Sequence, residues 1–561
     1  MRTDIRLPIK VENFKDIIEN EYYYIDKTLM IKELLDKGGE ANVFNRPRGF
    51  GKSLNISTLQ YFFENLKKDD AHIFNGLNIE QVGEKYLEHQ NKYPVIKLSL
   101  KDTVGANFNS AYKLFKTEIA NEFERHDYLL NSKVLNPFQM QRYQSLLNKS
   151  ADQEEFQNSL KFLCQCLQQH YNQKVILLID EYDVPLEKAH FAKPSYYSEM
   201  VGFVRSLFGA VLKTNDALHF SVITGCLRVS KESIFTGVNN LNIVSILSDS
   251  FGEYFGFTEP EVEAMLRYSQ LEHKSDEMRD WYNGYLFGET IVYNPWSSIK
   301  YLYDVIYGKM EFPVAHWSNT SSNSIVRELV SIADDETKDE IEYLIKGETI
   351  TKPVKEDIVY AEITNSMDNL WNFLFFTGYL KKVSKEQIEE TIYLELKIPN
   401  REIRYIYSRQ IREWFEDRVK ETDMTALYTA VLNQDIVIFE DEIINLLGES
   451  ISYMDSHENF YHGLLTGVLR GIKGYRAISN RESGNGRGDI FIKPRDLRKP
   501  AIIIEVKVAD RPQHLAKYCQ IALDQIEEKK YVDELVYEGY TEIIKYGMAF
   551  NGKMCMVKLG A

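Results

Sequence analysis

Two stretches of the chain carry the residue types that phosphate chemistry needs. The first is Asn42-Val43-Phe44-Asn45-Arg46-Pro47-Arg48-Gly49-Phe50-Gly51-Lys52-Ser53, which reads as strand, tight loop and helix start. In such a loop, backbone N–H groups cradle phosphates, Lys52 reaches the β/γ oxygens and Ser53 binds Mg²⁺. Gly51, Lys52 and Ser53 supply the second half of the pattern, while Arg46 takes the place of its first glycine. Further on, Val175-Ile176-Leu177-Leu178-Ile179-Asp180-Glu181 is an apolar run ending in two carboxylates. A parallel strand buried on both faces has this composition, and ligands bind at its C-terminal end. Asp180 is then expected in the Mg²⁺ shell, and Glu181 is expected to orient or deprotonate the attacking water. The strand His219–Thr224 leads to Arg228, read either as a cation on the transferred phosphate or as an ordinary surface arginine.

The second stretch joins Asp489, in Gly486-Arg487-Gly488-Asp489-Ile490-Phe491-Ile492, to Glu505-Val506-Lys507 at the end of the run Ala501-Ile502-Ile503-Ile504. Adjacent strands of a hairpin-like unit would set Asp489 beside Glu505. Residues i and i+2 of a strand share a face, so Glu505 and Lys507 are expected together on one exposed spot, with Val506 toward the core. Two carboxylates that bind one or two Mg²⁺ ions, beside an ammonium that positions water, suit phosphodiester cleavage. Glu458, near the start of the preceding helix, is a further candidate metal ligand. The bland alternative is a surface ion pair between Glu505 and Lys507, worth under about 1 kcal/mol. His457 and His462 lack metal-ligand spacing with any cysteine and read as helix-face residues.

The elements that would position these groups follow from the pattern of the chain. Its 561 residues exceed one hydrophobic core, so several domains are expected. Short β-branched runs (Ala41–Asn45, Val95–Leu100, Val175–Asp180, Leu218–Thr224, Ile243–Leu247) alternate with helical segments such as Ser53–Leu66 and Phe156–His170, which predicts a parallel sheet covered on both faces. Residues 253–447 read as mainly helical, with the strand pair Tyr379–Val383 and Thr391–Lys397 as a candidate winged-helix wing. From residue 448 a small α/β domain follows, in which helix Gln513–Lys530 carries Gln525.

The formal net charge of -16 argues against a protein that coats nucleic acid. From Ile451 onward there are 17 basic and 14 acidic residues, a balance of +3 that leaves -19 for the rest. Nine basic residues fall between Arg470 and Lys499 against three acidic ones, a candidate phosphate-facing surface or a solvated loop. No secretory signal and no membrane-spanning run is expected, and five scattered cysteines suit a reducing cytoplasm.

An ordered set of landmarks resembles the bacterial AAA-ATPase-like family that commonly carries a C-terminal PD-(D/E)XK nuclease domain. They are Tyr24-Ile25-Asp26-Lys27-Thr28, the loop at Arg46-Pro47-Arg48, Leu178-Ile179-Asp180-Glu181-Tyr182-Asp183, Thr224-Gly225 with Arg228, Ser233-Ile234-Phe235, Asn239-Asn240-Leu241, Trp281-Tyr282-Asn283-Gly284-Tyr285 and Val292-Tyr293-Asn294-Pro295-Trp296-Ser297. In that family an Arg-Pro-Arg loop replaces the glycine-first loop, so Arg46 fits the resemblance, whereas Gly49 stands where a further arginine is usual. Together these readings predict a P-loop NTPase-like parallel sheet over residues 1–252, a helical lid with a candidate winged-helix region over 253–447, and a restriction-endonuclease-like α/β domain over 448–561. The resemblance implies ATP binding; with the residue reading above, ATP and Mg²⁺ are the expected cofactors, with Arg46, Arg48, Gly49, Gly51, Lys52, Ser53, Asp180 and Arg228 around the nucleotide. It also places Gln525 beside the nuclease centre.

The expected function is therefore ATP binding and hydrolysis coupled to Mg²⁺-dependent cleavage of DNA or RNA in the cytoplasm, with no membrane partner and homo-oligomerisation open. The competing expectation is a non-catalytic, nucleotide-gated scaffold whose C-terminal domain docks a partner.

Overall fold

Strand Val175–Asp180 is apolar up to its last residue and buried at every position, because it lies inside a sheet with layers on both faces. A computed structural model describes residues 5–227, 234–235, 237–238, 240–317, 324–356, 360–448, 458–479 and 489–560. Five parallel strands run in the order Val95–Ser99, Val175–Asp180, Leu218–Gly225, Ala41–Asn45, Leu241–Val244. Helix Lys52–Phe63 packs on the second and third of these, and helices Phe108–Arg125, Ser159–Tyr171 and Tyr197–Leu212 also contact the sheet. The last strand begins two residues earlier than its β-branched pattern predicts. Its expected tail instead forms a serine-held turn, in which Ser245 N–H donates to Ser248 Oγ at 3.1 Å and Leu247 N–H to Ser245 Oγ at 3.2 Å.

The chain divides into two compact units: residues Met1–Ser321 with Thr349–Tyr405, and Ser322–Glu348 with Ile406–Ala561. In the first, helices Glu259–Tyr268, Ser275–Tyr282 and Pro295–Ile306 share an apolar cluster with Ile5 and Leu7 from the start of the chain. The strand pair expected near residue 380 is Lys381–Ile388 with Thr391–Lys397, and Ile350–Pro353 joins it as a third antiparallel strand.

The second unit holds a mixed sheet in chain order: Tyr475–Ser479, Asp489–Pro494, Ala501–Val508, Ile543–Asn551, Met554–Leu559. Only the third and fourth of these run parallel. Side chains alternate between two cores. Ile502, Ile504 and Val506 join Tyr461, Leu465 and Leu469 of helix Glu458–Leu469, whereas Ala501 and Ile503 join Leu523 and Ile526 of helix Leu515–Glu528. Among the described residues no helix is long and apolar enough to cross a membrane. Four of the five cysteines are buried and Cys226 is half-buried.

Candidate functional sites

Strand Ala41–Asn45 ends in the phosphate-type loop, and helix Lys52–Phe63 starts from it. Gly51 caps that helix at φ 77° in the left-handed region, which glycine adopts without a Cβ penalty. No side chain caps the helix, so its first N–H groups and positive dipole end stay available to an anion. Lys52 is buried, and its Nζ donates at 3.0 Å to the carbonyls of both Arg46 and Pro47. Burial lowers its pKa, but Cys226, Glu181, Asp183 and Asp180 raise it, and the net shift is upward.

Asp180, which ends strand Val175–Asp180, and the adjoining Glu181 lie at the same sheet end. Asp180 accepts a 2.5 Å hydrogen bond from the Thr224 hydroxyl. Glu181 holds φ 54°, a strained conformation for a side chain of this kind. Burial raises its pKa against the pull of Lys52. A cavity of about 210 Å³ adjoins the loop, lined by Gly49, Gly51, Lys52, Ser53 and Glu181 on one side. Tyr23, Tyr24, Phe257, Met265 and Trp296 line it on the other.

Arg46 and Arg48, expected at the nucleotide, are not among the residues lining this cavity. The Arg46 guanidinium is fully buried, 5.1 Å from the Phe255 ring and 5.0 Å from the Phe287 ring. It donates to the carbonyls of Asn45 and Val244, each at 2.9 Å, and burial pulls its pKa down to about 9. Arg48 pairs with Glu187 at 2.5 Å. The loop is thus braced by chain that lies far downstream. Trp296 N–H donates to the Gly49 carbonyl at 3.3 Å, and Phe50 packs edge-on against Tyr285 and Phe287. Arg228 lies outside the described residues.

The sequence gives no signal for Glu402, which holds this brace in place. It is fully buried at the start of helix Arg401–Glu421, and its Oε1 accepts from Ser297 Oγ at 3.0 Å and Trp317 N–H at 2.8 Å. Burial raises its pKa from 4.5 to about 7. A carboxyl raised in the folded state stabilises the protein below its unfolded pKa, and that stability is lost as pH rises through the folded value. Thermal unfolding from pH 5 to 8 should therefore show a decline worth about 3 kcal/mol, and Glu402→Gln should remove it. An identical pH profile in the variant would contradict this assignment.

In the second unit, the backbone ladder pairs Asp489 with Glu505, as the motif spacing predicts. The description of Asp489 extends to its backbone only. Lys507 Nζ donates to Glu505 Oε1 at 2.7 Å and to Glu458 Oε1 at 3.3 Å. One departure is Glu505 itself: it is 0% exposed, not on an exposed spot. Helices cover both faces of its strand, so the face it shares with Ile503 is also inside. Glu505 Oε2 is buried without a hydrogen-bond partner among the described residues, which is costly for a carboxylate that nothing else engages. Hard carboxylate oxygens at such a position fit a Mg²⁺ ion. Among the described residues no three or more candidate ligands cluster, and the Asp489 carboxylate lies outside that description.

The basic tract splits between described and undescribed chain. Arg481 and Arg487 lie outside the described residues, as does His457. Arg495, Arg498 and Lys499 occupy the turn between strands Asp489–Pro494 and Ala501–Val508, at the opposite end from Glu505. Four residues at roughly 3.3 Å each put that turn about 13 Å away. His462 is buried with its ring 3.4 Å from Ser479 Oγ, in keeping with a helix-face role. Gln525 is half-buried on helix Leu515–Glu528.

The fold and the placement of these groups define an α/β protein with a P-loop-type parallel sheet, a helical middle and a C-terminal mixed-sheet domain. Residues 8–235 match the predicted AAA-ATPase family model, and residues 456–559 match the PD-(D/E)XK nuclease superfamily, so the chain carries a domain of each. It is also 28% identical over 328 residues to an "uncharacterized protein in vnfD 5′ region" of Azotobacter chroococcum mcd 1. That match covers 58% of this chain and 56% of the relative, so the chain spans little more than half of the curated protein's length. No solved structure matches the chain.

Proposed function

We propose that the chain is an ATP-hydrolysing, Mg²⁺-dependent nuclease, with functional regions 1–252, 253–447 and 448–561. One observation carries the cutting half. Glu505 is a buried carboxylate with an unengaged oxygen, set opposite residue 489 in the ladder and bonded to Lys507 two residues along. Asp489, Glu505 and Glu458 would hold Mg²⁺, which when bound supplies a polarised phosphate and a more acidic water. Lys507 orients that water and offsets negative charge that develops on the phosphate. The substrate is DNA or RNA.

At the first site, the uncapped helix start, Lys52 and Ser53 receive the β/γ-phosphates with their Mg²⁺, and the aromatic side of the adjoining cavity receives the base. Asp180 would join Ser53 in holding the ion. Glu181, made more basic by burial, takes the proton of the attacking water. Arg46 and Arg48 act here by fixing the loop's shape, since both are engaged by protein groups.

A nucleotide-gated scaffold is the second reading, favoured by Lys52 folding back onto its own loop carbonyls. Incubating a panel of single- and double-stranded DNA and RNA with the protein, with and without ATP, separates the two. Cleavage that needs Mg²⁺, stops with a chelator and changes with ATP is the expected outcome. No cleavage of any substrate and no phosphate release would leave the scaffold.

A further inference from the structure

The turn after strand Leu218–Gly225 is gripped from both sides. Asp183 is 1% exposed, and its Oδ2 accepts from the Cys226 N–H at 2.8 Å and the Leu227 N–H at 3.0 Å. The Leu227 carbonyl accepts from Asn45 Nδ2 at 2.6 Å and from the Tyr182 hydroxyl. Gly225 permits this approach, because a Cβ there would lie 2.7 Å from Asp183 Oδ1 and 2.5 Å from the Tyr182 ring. Held so, the turn sets Cys226 Sγ 3.5 Å from Lys52 Nζ, the cation of the nucleotide loop.

A third donor reaches Asp183 from 177 residues away. The Tyr360 hydroxyl donates to the same Oδ2 at 3.3 Å. Tyr360 opens the short 3-10 helix Tyr360–Asn365 and is fully buried within the same compact unit. Burial keeps its phenol far above the usual range, so it is a neutral donor at working pH. The same segment, Thr349–Tyr405, presses on the loop at a second point. At Gly378, φ +90°, a Cβ would lie 3.0 Å from the Pro47 ring.

We infer that Asp183 and Tyr360 form a positioning pair for nucleotide hydrolysis. Asp183 fixes the turn at residues 226–227 against Lys52, and Tyr360 fixes Asp183, so the segment Thr349–Tyr405 governs turnover without touching nucleotide. The inference rests on the ATP-hydrolysing reading of this site. A phenylalanine fills the same space as Tyr360, so the hydroxyl contributes its bond and little else. With that bond gone, Asp183 keeps both backbone donors, and the fold keeps its core.

Cys226 is the one cysteine of five that is not buried, so alkylation by N-ethylmaleimide, read by peptide mass spectrometry, reports on the turn without requiring ATP turnover. In Tyr360→Phe, labelling of Cys226 should speed up about tenfold, the size expected of one hydrogen bond to a charged group. The kcat for ATP should fall by a similar, roughly tenfold, factor while its KM stays within about twofold. Asp183→Asn keeps an oxygen acceptor for the two amides and should slow turnover with a smaller gain in labelling. Labelling and kcat both within about twofold of wild type would overturn the inference. So would a joint loss of kcat, affinity and melting temperature, which marks Tyr360 as packing alone. If wild type turns over no ATP, the hydrolysis reading falls by itself. Faster labelling in Tyr360→Phe would then still support the grip on the turn, and unchanged labelling would end it.

Discussion

Replacing Lys507 with alanine should lower phosphodiester cleavage by on the order of 10³-fold and, separately, lower the melting temperature of the C-terminal unit in chelator. The two effects have different physics. Lys507 Nζ is the cation bonded to Glu505 Oε1 at 2.7 Å, and Glu505 is wholly buried. Removing one partner of a buried ion pair leaves the other uncompensated, a cost of about 3–5 kcal/mol. A divalent cation can supply that compensating charge, so excess Mg²⁺ should restore most of the lost stability. It should not restore cleavage, because a bound ion would not replace the ammonium proposed to position water. Differential scanning fluorimetry with chelator and with Mg²⁺, beside a cleavage assay, reads both. Cleavage equal to wild type would remove Lys507 from the site, and stability indifferent to Mg²⁺ would detach the metal from Glu505.

Lys52→Ala should weaken ATP binding by about 10²-fold and abolish turnover. The side chain is buried and bonded to two loop carbonyls, so its removal also leaves those carbonyls short of a donor, at about 1 kcal/mol each. A modest drop in melting temperature is expected with the loss of binding, and titration with a fluorescent ATP analogue below that temperature isolates the functional part. An analogue affinity within about twofold of wild type would mean that the phosphates do not meet Lys52.

The parts of these sites that were legible in the sequence are local. The run Val175–Asp180 declared itself by unbroken apolarity, and Glu505 with Lys507 by their two-residue spacing after four apolar positions. The helix after Gly51, expected over Ser53–Leu66, runs Lys52–Phe63, with a separate 3-10 helix from Asn65. What was illegible depends on chain far away. Nothing near Arg46 says that Phe255 and Phe287 will enclose its guanidinium. Tyr360 and Glu402 lie in segments with no motif, yet each reaches a group more than a hundred residues earlier. The burial of Glu505 required knowing that helix Leu515–Glu528 covers the second face of its strand. The basic turn at Arg495, Arg498 and Lys499 looked close to Asp489 in sequence, but the antiparallel register sends it to the far end of the hairpin.

The proposed cleavage depends on a divalent cation held at Glu505. Isothermal titration of Mn²⁺ into chelator-treated wild type and Glu505→Gln, both checked for native melting, measures this without any substrate. With the first site's ion holders removed by Ser53→Ala and Asp180→Asn in both proteins, one saturable binding event that is lost on adding Glu505→Gln is the predicted result. Equal Mn²⁺ binding in the two proteins, or none in either, would contradict it.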